Sequence, residues 1–262
     1  MKILPLILIA GWGHTGQAMV RLKEALVGYP VQVTSTGELS EIQPNAARPH
    51  LPGLSQYAWG LHNLLAVYGG RVAVIGWSMG GIVALETARA YPHLLQQLVI
   101  ISGTARFSAG NDELPALSLV EGRGVPASVL RAMTMGLRRT PDNVLAAYYA
   151  KVHAPQDAPA SDAVTREKDI TRQYRNELLQ GLDYLLQIDL RDGLKKQTVP
   201  TLVAHGREDH IVPWQAGAWL SRALPVSHWR CYANYGHALP SQAPLLLAAD
   251  IRAFLLSHSS GV

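Results

Sequence analysis

Residues Leu4–Ala10 form an unbroken apolar run, the pattern of a strand buried on both faces of a parallel sheet. Thr15 then stands where it can cap a helix that carries Ala18, Met19, Leu22, Ala25 and Leu26 on one face. Val31–Thr34 reads as a short second strand. Residues 35–53 have no clear period, hold three prolines, and read as a long loop. Leu54, Tyr57, Ala58, Leu61, Leu64 and Leu65 follow a helical stripe that ends at Gly69-Gly70. Arg71–Gly76 is the next strand, Met79–Tyr91 the next helix, stopped by Pro92, and Gln97–Ser102 a further strand.

Strand and helix alternate here at the spacing of βαβ units, which implies a mainly parallel sheet covered by helices on both faces. The alternation stops near Ala105. From there to Gln197 the pattern is largely helical, with Pro126 and Pro141 placed as first residues of helices. It resumes with a strand at Pro200–His205, a helix near Trp214–Ala223, a strand at Val226–Tyr232 and a last helix through Leu245–Leu256. The expected organisation is a core of residues 1–104 and 199–262 with a helical insertion, 105–198, acting as a lid. Ligands bind at the carboxyl ends of the strands in open α/β sheets.

Apolar residues make up 48% of the 262 and charged ones 16%, enough apolar material for a core that needs no covalent staple. Cys231 is the single cysteine, so no disulfide can close within the chain and a reducing, cytoplasmic setting is expected. It reads as a small buried side chain on a strand, with a reactive thiol as the other reading. The formal charge of +4 is too small for a duplex-binding surface but favours an acidic partner. Lys2 followed by apolar Ile3–Ala10 invites comparison with an export signal. That run is short, holds Pro5, and passes into Gly11-Trp12-Gly13 without a small-x-small cleavage site. No stretch approaches the ~18 apolar residues of a membrane span.

The chemistry is concentrated at Gly76-Trp77-Ser78-Met79-Gly80-Gly81, between an expected strand and an expected helix. A serine on so sharp a turn takes a strained backbone conformation, and a Cβ on either flanking glycine would collide with neighbouring elements. The turn lifts Oγ above the sheet and aims the Met79 N–H at a developing oxyanion. A serine hydroxyl needs a base within hydrogen-bond reach. With the nucleophile on such a turn, the partners follow in the order acid, then histidine. The acid belongs after the penultimate strand, in His205-Gly206-Arg207-Glu208-Asp209-His210-Ile211-Val212-Pro213; Asp209 is the choice and Glu208 the alternative. The base belongs after the last strand, where Tyr235-Gly236-His237-Ala238 supplies His237. The loop after the first apolar strand, Gly11-Trp12-Gly13, offers the Trp12 N–H as second oxyanion donor; a packing role is the other reading of Trp12. His14 follows closely and reads as a polar loop residue, with contact to substrate as the other reading. His205, Asp209 and His210 match no metal-ligand spacing, and no metal is assigned.

Between Gly122 and Pro141 lie Arg123, Arg131, Arg138 and Arg139 with no acidic residue. Arg138 and Arg139 are seven and eight residues beyond Arg131, so a helix would gather them on one face. That face is either a docking ridge for an acidic partner or a solvated surface completing a helix C-terminus. Trp12, Trp77, Met79 and Phe107 are expected to line an apolar slot beside the serine, suited to an acyl chain.

Together, Gly11-Trp12-Gly13, Gly76-Trp77-Ser78-Met79-Gly80-Gly81, Phe107-Ser108-Ala109, Gly181-Leu182-Asp183, Asp189-Leu190-Arg191 and Val212-Pro213 resemble the pimeloyl-carrier-protein methyl ester esterases of biotin synthesis, a group with the α/β-hydrolase fold. The resemblance implies a cytoplasmic, cofactor-free serine esterase that removes the methyl group from a pimeloyl ester held on acyl carrier protein. It carries the catalytic roles to Ser78, Asp209 and His237 and the oxyanion hole to Trp12 and Met79. It places substrate contacts at Trp12, Trp77 and Phe107, and carrier contacts at Arg131, Arg138 and Arg139. Ala10 departs from the histidine usual before the Gly-Trp turn, and 140–165 matches the group poorly. Acyl carrier protein is thus the expected partner, with no nucleic acid or membrane, and the chain is expected to be a monomer. Two other functions compatible with the residues are a general short-chain carboxylesterase and a hydrolase-fold binding module without chemistry.

Overall fold

Eight strands occur in the computed structural model, which describes residues 3–42, 52–109, 123–157 and 172–258 and omits the side chains of 123, 124, 172 and 173. In chain order they are β1 (Leu6–Ala10), β2 (Val31–Ser35), β3 (Ala73–Trp77), β4 (Gln97–Ile101), β5 (Arg106–Ser108), β6 (Arg123–Val125), β7 (Thr201–Gly206) and β8 (Ser227–Tyr232). Six of them form one sheet in the order β2-β1-β3-β4-β7-β8, with every neighbouring pair parallel. The four inner strands are buried along their whole length, as their unbroken apolar runs require. Edge strand β8 alternates partly buried and exposed positions over most of its length, and Cys231, expected to be buried, is exposed on it because no further strand covers that edge.

Helices cover both faces. α1 (Val20–Ala25) follows a short 3₁₀ turn that Thr15 caps through its side chain, and packs against α10 (Pro244–Ser257). On the other side α3 (Gln56–Leu65) packs on α4 (Met79–Ala90) and α2 (Thr36–Glu41). α8 (Trp214–Ala223) lies on β7 and β8, and the single turn α9 (Leu239–Gln242) precedes α10. The chain runs outward from β1 to β2 on one side and from β3 to β8 on the other. The topological switch therefore falls between β1 and β3, where such sheets open a crevice at the carboxyl ends of the strands.

The long loop expected over 35–53 begins instead with α2. Ser35 accepts from the Glu38 N–H while the Glu38 carboxylate accepts from the Ser35 N–H, a complete capping box. The remainder of that loop, 43–51, lies outside the described residues.

Between β4 and β7 come α5 (Ala127–Arg139), α6 (Pro141–His153) and α7 (Arg172–Gln187), as the helical pattern implied. Pro141 is the first residue of α6, whereas Pro126 is the cap residue before α5 rather than its first. The stretch also holds β5 and β6, a two-stranded parallel pair absent from the sequence reading. Both ends of the stretch are tied together: Leu190 N–H donates to the Ala105 carbonyl at 2.8 Å, and Arg106 pairs with Asp189 at 3.5 Å. Glu86 of α4, almost fully buried, accepts from the Ser55 N–H, the Ser55 hydroxyl and Tyr184 of α7 at 2.7, 2.7 and 2.9 Å. Three donors satisfy a carboxylate that burial would otherwise make costly.

The contact of α7 with α2 is less comfortable. The Glu177 carboxylate lies against Gly37, and burial, reinforced by Glu41 and Glu38, raises its pKa. A raised carboxyl pKa means stability present below the ordinary glutamate value and lost as pH rises through the folded-state value. Glu177→Gln should therefore raise Tm by about 2 °C at pH 8. The gain should vanish near pH 4, and equal melting curves at pH 8 would contradict this account.

Candidate active site

Ser78 sits at the turn from β3 into α4 with φ +56° and ψ −122°, a conformation L-residues rarely adopt and one that costs roughly 1–3 kcal/mol. The neighbouring glycines leave the chain no alternative. A Cβ on Gly76 would lie 2.5 Å from backbone atoms of Gly80 and Gly81, and one on Gly80 would lie 2.5 Å from the Ile9 carbonyl oxygen. The first turn of α4 is thereby pressed onto β1 and β3, and the serine stands over the topological switch. Gly11, just past β1, is close enough that a Cβ there would lie 3.4 Å from Ser78 Oγ. The chain just before Trp12 thus passes close to the hydroxyl, while the Met79 N–H opens α4, where backbone donors have no partner within the helix.

His237, fully buried in the loop after β8, has Nε2 2.9 Å from Ser78 Oγ and Nδ1 2.7 Å from Asp209 Oδ2. The carboxylate cannot donate, so Nδ1 carries the proton and Nε2 is left to accept from the serine. Asp209 follows β7 and is held on both oxygens. Its Oδ1 accepts from the N–H groups of Ile211 and Val212, each at 2.8 Å, and its Oδ2 faces His237 and His205. Burial alone would raise its pKa, but the His237 and His205 contacts outweigh burial and hold it well below the usual carboxylate range. Glu208, the alternative acid, is exposed.

A cavity of about 380 Å³ opens at Ser78. Its walls are mostly hydrocarbon: Trp12, Phe107, Leu130, Met133, Leu182 and Leu185 among them, with Lys151 and His210 as ionisable members. Trp12 and Tyr148 direct their polar atoms away, Trp12 Nε1 donating to the Leu178 carbonyl at 2.8 Å and Tyr148 Oη to the Trp12 carbonyl at 3.2 Å. Trp77 is not one of the lining residues. It is the last residue of β3, and its Nε1 donates to the His237 carbonyl at 2.8 Å, so it braces the loop carrying the imidazole. Met79 is buried and not part of the lining either.

His14 is more than a polar loop residue. Its ring lies 4.7 Å from that of Trp77 and 5.1 Å from that of Tyr149, with Nε2 buried and without a hydrogen-bond partner. Burial, with His153 and His237 adding to it, pushes its pKa down to about 3, so it stays neutral beside His237. Tyr148 and Lys151 escaped the sequence reading, in which His205 figures only as a strand end and a rejected metal ligand. The helical spacing Val144-Tyr148-Lys151 could have indicated a shared face for the first two.

Arg131, Arg138 and Arg139 are exposed on α5, whose Leu130 and Met133 line the cavity. The Arg123 side chain lies outside the described residues. Among those residues no group of histidine, cysteine or acidic side chains has a metal-binding arrangement, and no helix is long and apolar enough to cross a membrane.

A parallel sheet with a strained serine after β3, an acid after β7 and a histidine after β8 defines an α/β-hydrolase. Residues 45–242 match the family model described as serine aminopeptidase, S33, and the chain belongs to that family. It is 29% identical over 250 residues to the pimeloyl-[acyl-carrier protein] methyl ester esterase of Vibrio atlanticus, covering 94% of this chain and 90% of that one. It is also 29% identical over 248 residues to a putative carbamate hydrolase RutD of Cronobacter turicensis, covering 91% and 86%. Among solved structures it is similar to an esterase from Exiguobacterium antarcticum, with a TM-score of 0.77, 16% identity, and 97% and 92% of the two chains covered. The protein is a carboxylic ester hydrolase.

Proposed function

We propose that this chain hydrolyses the methyl ester of a pimeloyl group carried on acyl carrier protein, releasing methanol and the free carboxylate. The observation that carries this reading is the largely apolar cavity with Ser78 in its wall, which suits a hydrocarbon chain bearing an ester. The Vibrio relatives bear the name of that activity.

In this reading Ser78 Oγ attacks the ester carbonyl as His237 Nε2 takes its proton. The oxyanion rests on the Trp12 and Met79 N–H groups, each such donor lowering the barrier by ~3 kcal/mol. The tetrahedral intermediate collapses as His237 returns the proton to the departing methoxide, giving methanol and an acyl-Ser78. Water, deprotonated by the same imidazole, cleaves the acyl-enzyme to the acid and regenerates the serine. Asp209 holds the Nδ1–H tautomer throughout. Residues 105–198 serve as a lid over the core of 1–104 and 199–262. Trp12 and Phe107 contact the acyl chain, and the exposed arginines of α5 receive the acidic carrier. Such a substrate places the enzyme in the cytoplasm.

The test compares kcat/KM on the carrier-bound methyl ester with that on the free methyl ester between about 50 and 500 mM salt. The carrier-bound rate should be the higher and should fall as salt screens the arginines, while the free-ester rate stays level. Equal rates with equal salt response would move the reading to a general short-chain carboxylesterase.

A further inference from the structure

His205, the penultimate residue of β7, is a second imidazole on the acid, and the serine mechanism does not use it. It has no exposed surface, and its Nε2 lies 2.9 Å from the Val212 carbonyl oxygen and 3.1 Å from Asp209 Oδ2. A carbonyl can only accept, so Nε2 carries the proton and donates it to the Val212 carbonyl, with the carboxylate oxygen 3.1 Å from the same nitrogen. Nδ1 has no hydrogen-bond partner and looks toward Gly217 of α8, where a Cβ would collide with it. The ring therefore offers one donor to this loop, its Nε2–H. It closes the loop from residue 205 to 212 onto the oxygen that His237 also contacts.

We propose that His205 is a positioning residue for the acid: its Nε2–H fixes Asp209 Oδ2 against His237 Nδ1 and withdraws part of the carboxylate's charge from it. This rests on the triad reading given above. Oδ1 then has two backbone donors, Ile211 and Val212 N–H, and Oδ2 has two imidazole nitrogens against it, His237 Nδ1 at 2.7 Å and His205 Nε2 at 3.1 Å. A carboxylate held this way cannot rotate out of line with the imidazole. The other titratable groups facing this pair are Tyr148 of α6, which interacts with Asp209, and neutral His14, which interacts with His237. Neither donates to the carboxylate, so His205 is the lever on its charge.

The experiment measures pH profiles of kcat and kcat/KM on a p-nitrophenyl short-chain ester for wild type, His205→Phe, His205→Gln and Ser78→Ala. Phenylalanine keeps the ring volume and removes the donor; glutamine places an N–H near the position of Nε2. His205→Phe should lower kcat about tenfold, the scale of one charge-assisted hydrogen bond, with KM nearly unchanged because His205 does not line the cavity. With the donor gone, more negative charge faces His237 and its protonated form is favoured. The acid limb of kcat/KM should therefore move upward by about half a pH unit. His205→Gln should restore most of both. A purely structural role would lower Tm in both variants and leave the limb in place, and a folded His205→Phe with unmoved limb and kcat overturns the proposal. Should His205→Phe not fold, ¹⁵N spectra of the wild type decide: a proton on Nε2 of His205 from pH 6 to 9 supports the assignment, one on Nδ1 overturns it. Turnover retained in Ser78→Ala would instead sink the triad reading itself.

Discussion

Ser78→Ala should leave a folded protein whose kcat on any methyl ester is lower by about 10⁴-fold or more, and which no longer reacts with a fluorophosphonate. The size of the loss follows from the cooperation of the three groups: without Oγ, neither the 2.9 Å contact to His237 nor the 2.7 Å contact to Asp209 has a nucleophile to serve. Folding should survive because alanine occupies the same φ of +56° at the same cost as serine, and the wild-type hydroxyl makes one contact, to an imidazole that Asp209 still holds. Ser78→Gly separates strain from chemistry. Glycine reaches that φ freely, so this variant should be equally inactive yet more stable than Ser78→Ala by about 1 kcal/mol. Wild-type turnover in either variant would remove Ser78 from the mechanism. A wild-type protein that ignores the fluorophosphonate would revive the binding-module reading.

The elements that carry chemistry were legible because they are constrained by sterics that sequence states outright. Gly76 and Gly80 mark a turn that tolerates no Cβ, and the unbroken apolar runs of β1, β3, β4 and β7 mark strands buried on both faces. Once the serine and strand order were placed, Asp209 and His237 followed from where β7 and β8 end. What escaped was set by contacts distant in sequence or by elements too short to show a period. β5 and β6 have three residues each, below the length at which alternation can be read. α2 is also short, and the prolines at 44, 49 and 52 drew its whole neighbourhood into a loop, although Ser35-Thr36-Gly37-Glu38 spells a capping box. Trp77 adjoins Ser78 in sequence, but it is the last residue of β3 while Ser78 stands on the strained turn beyond it, and its indole turns to the His237 carbonyl instead of the slot. His205 looked like an ordinary strand end. Only the closure of the loop after β7 returns Asp209 and the Val212 carbonyl to its ring.

Asp209→Asn should lower kcat by about 10³- to 10⁴-fold while leaving Tm and KM close to wild type, and the reason lies in which end of the amide faces which donor. Two backbone N–H groups, from Ile211 and Val212, converge on Oδ1 at 2.8 Å, so an asparagine at this position must turn its carbonyl oxygen toward them. Its NH₂ then takes the place of Oδ2, against His237 Nδ1 and His205 Nε2. An amide NH₂ accepts nothing. His237 must present a bare Nδ1 to it and carry its proton on Nε2, the nitrogen that should receive the Ser78 proton. His205 tolerates the exchange because its Nε2–H keeps the Val212 carbonyl at 2.9 Å, which is why the fold should hold. The defect is one of tautomer and charge, so raising the pH from 6 to 9 should recover little of the rate. A variant with near-normal kcat would mean that the carboxylate does not orient the base. One that fails to fold would mean that Oδ2 serves the loop after β7 more than the imidazole.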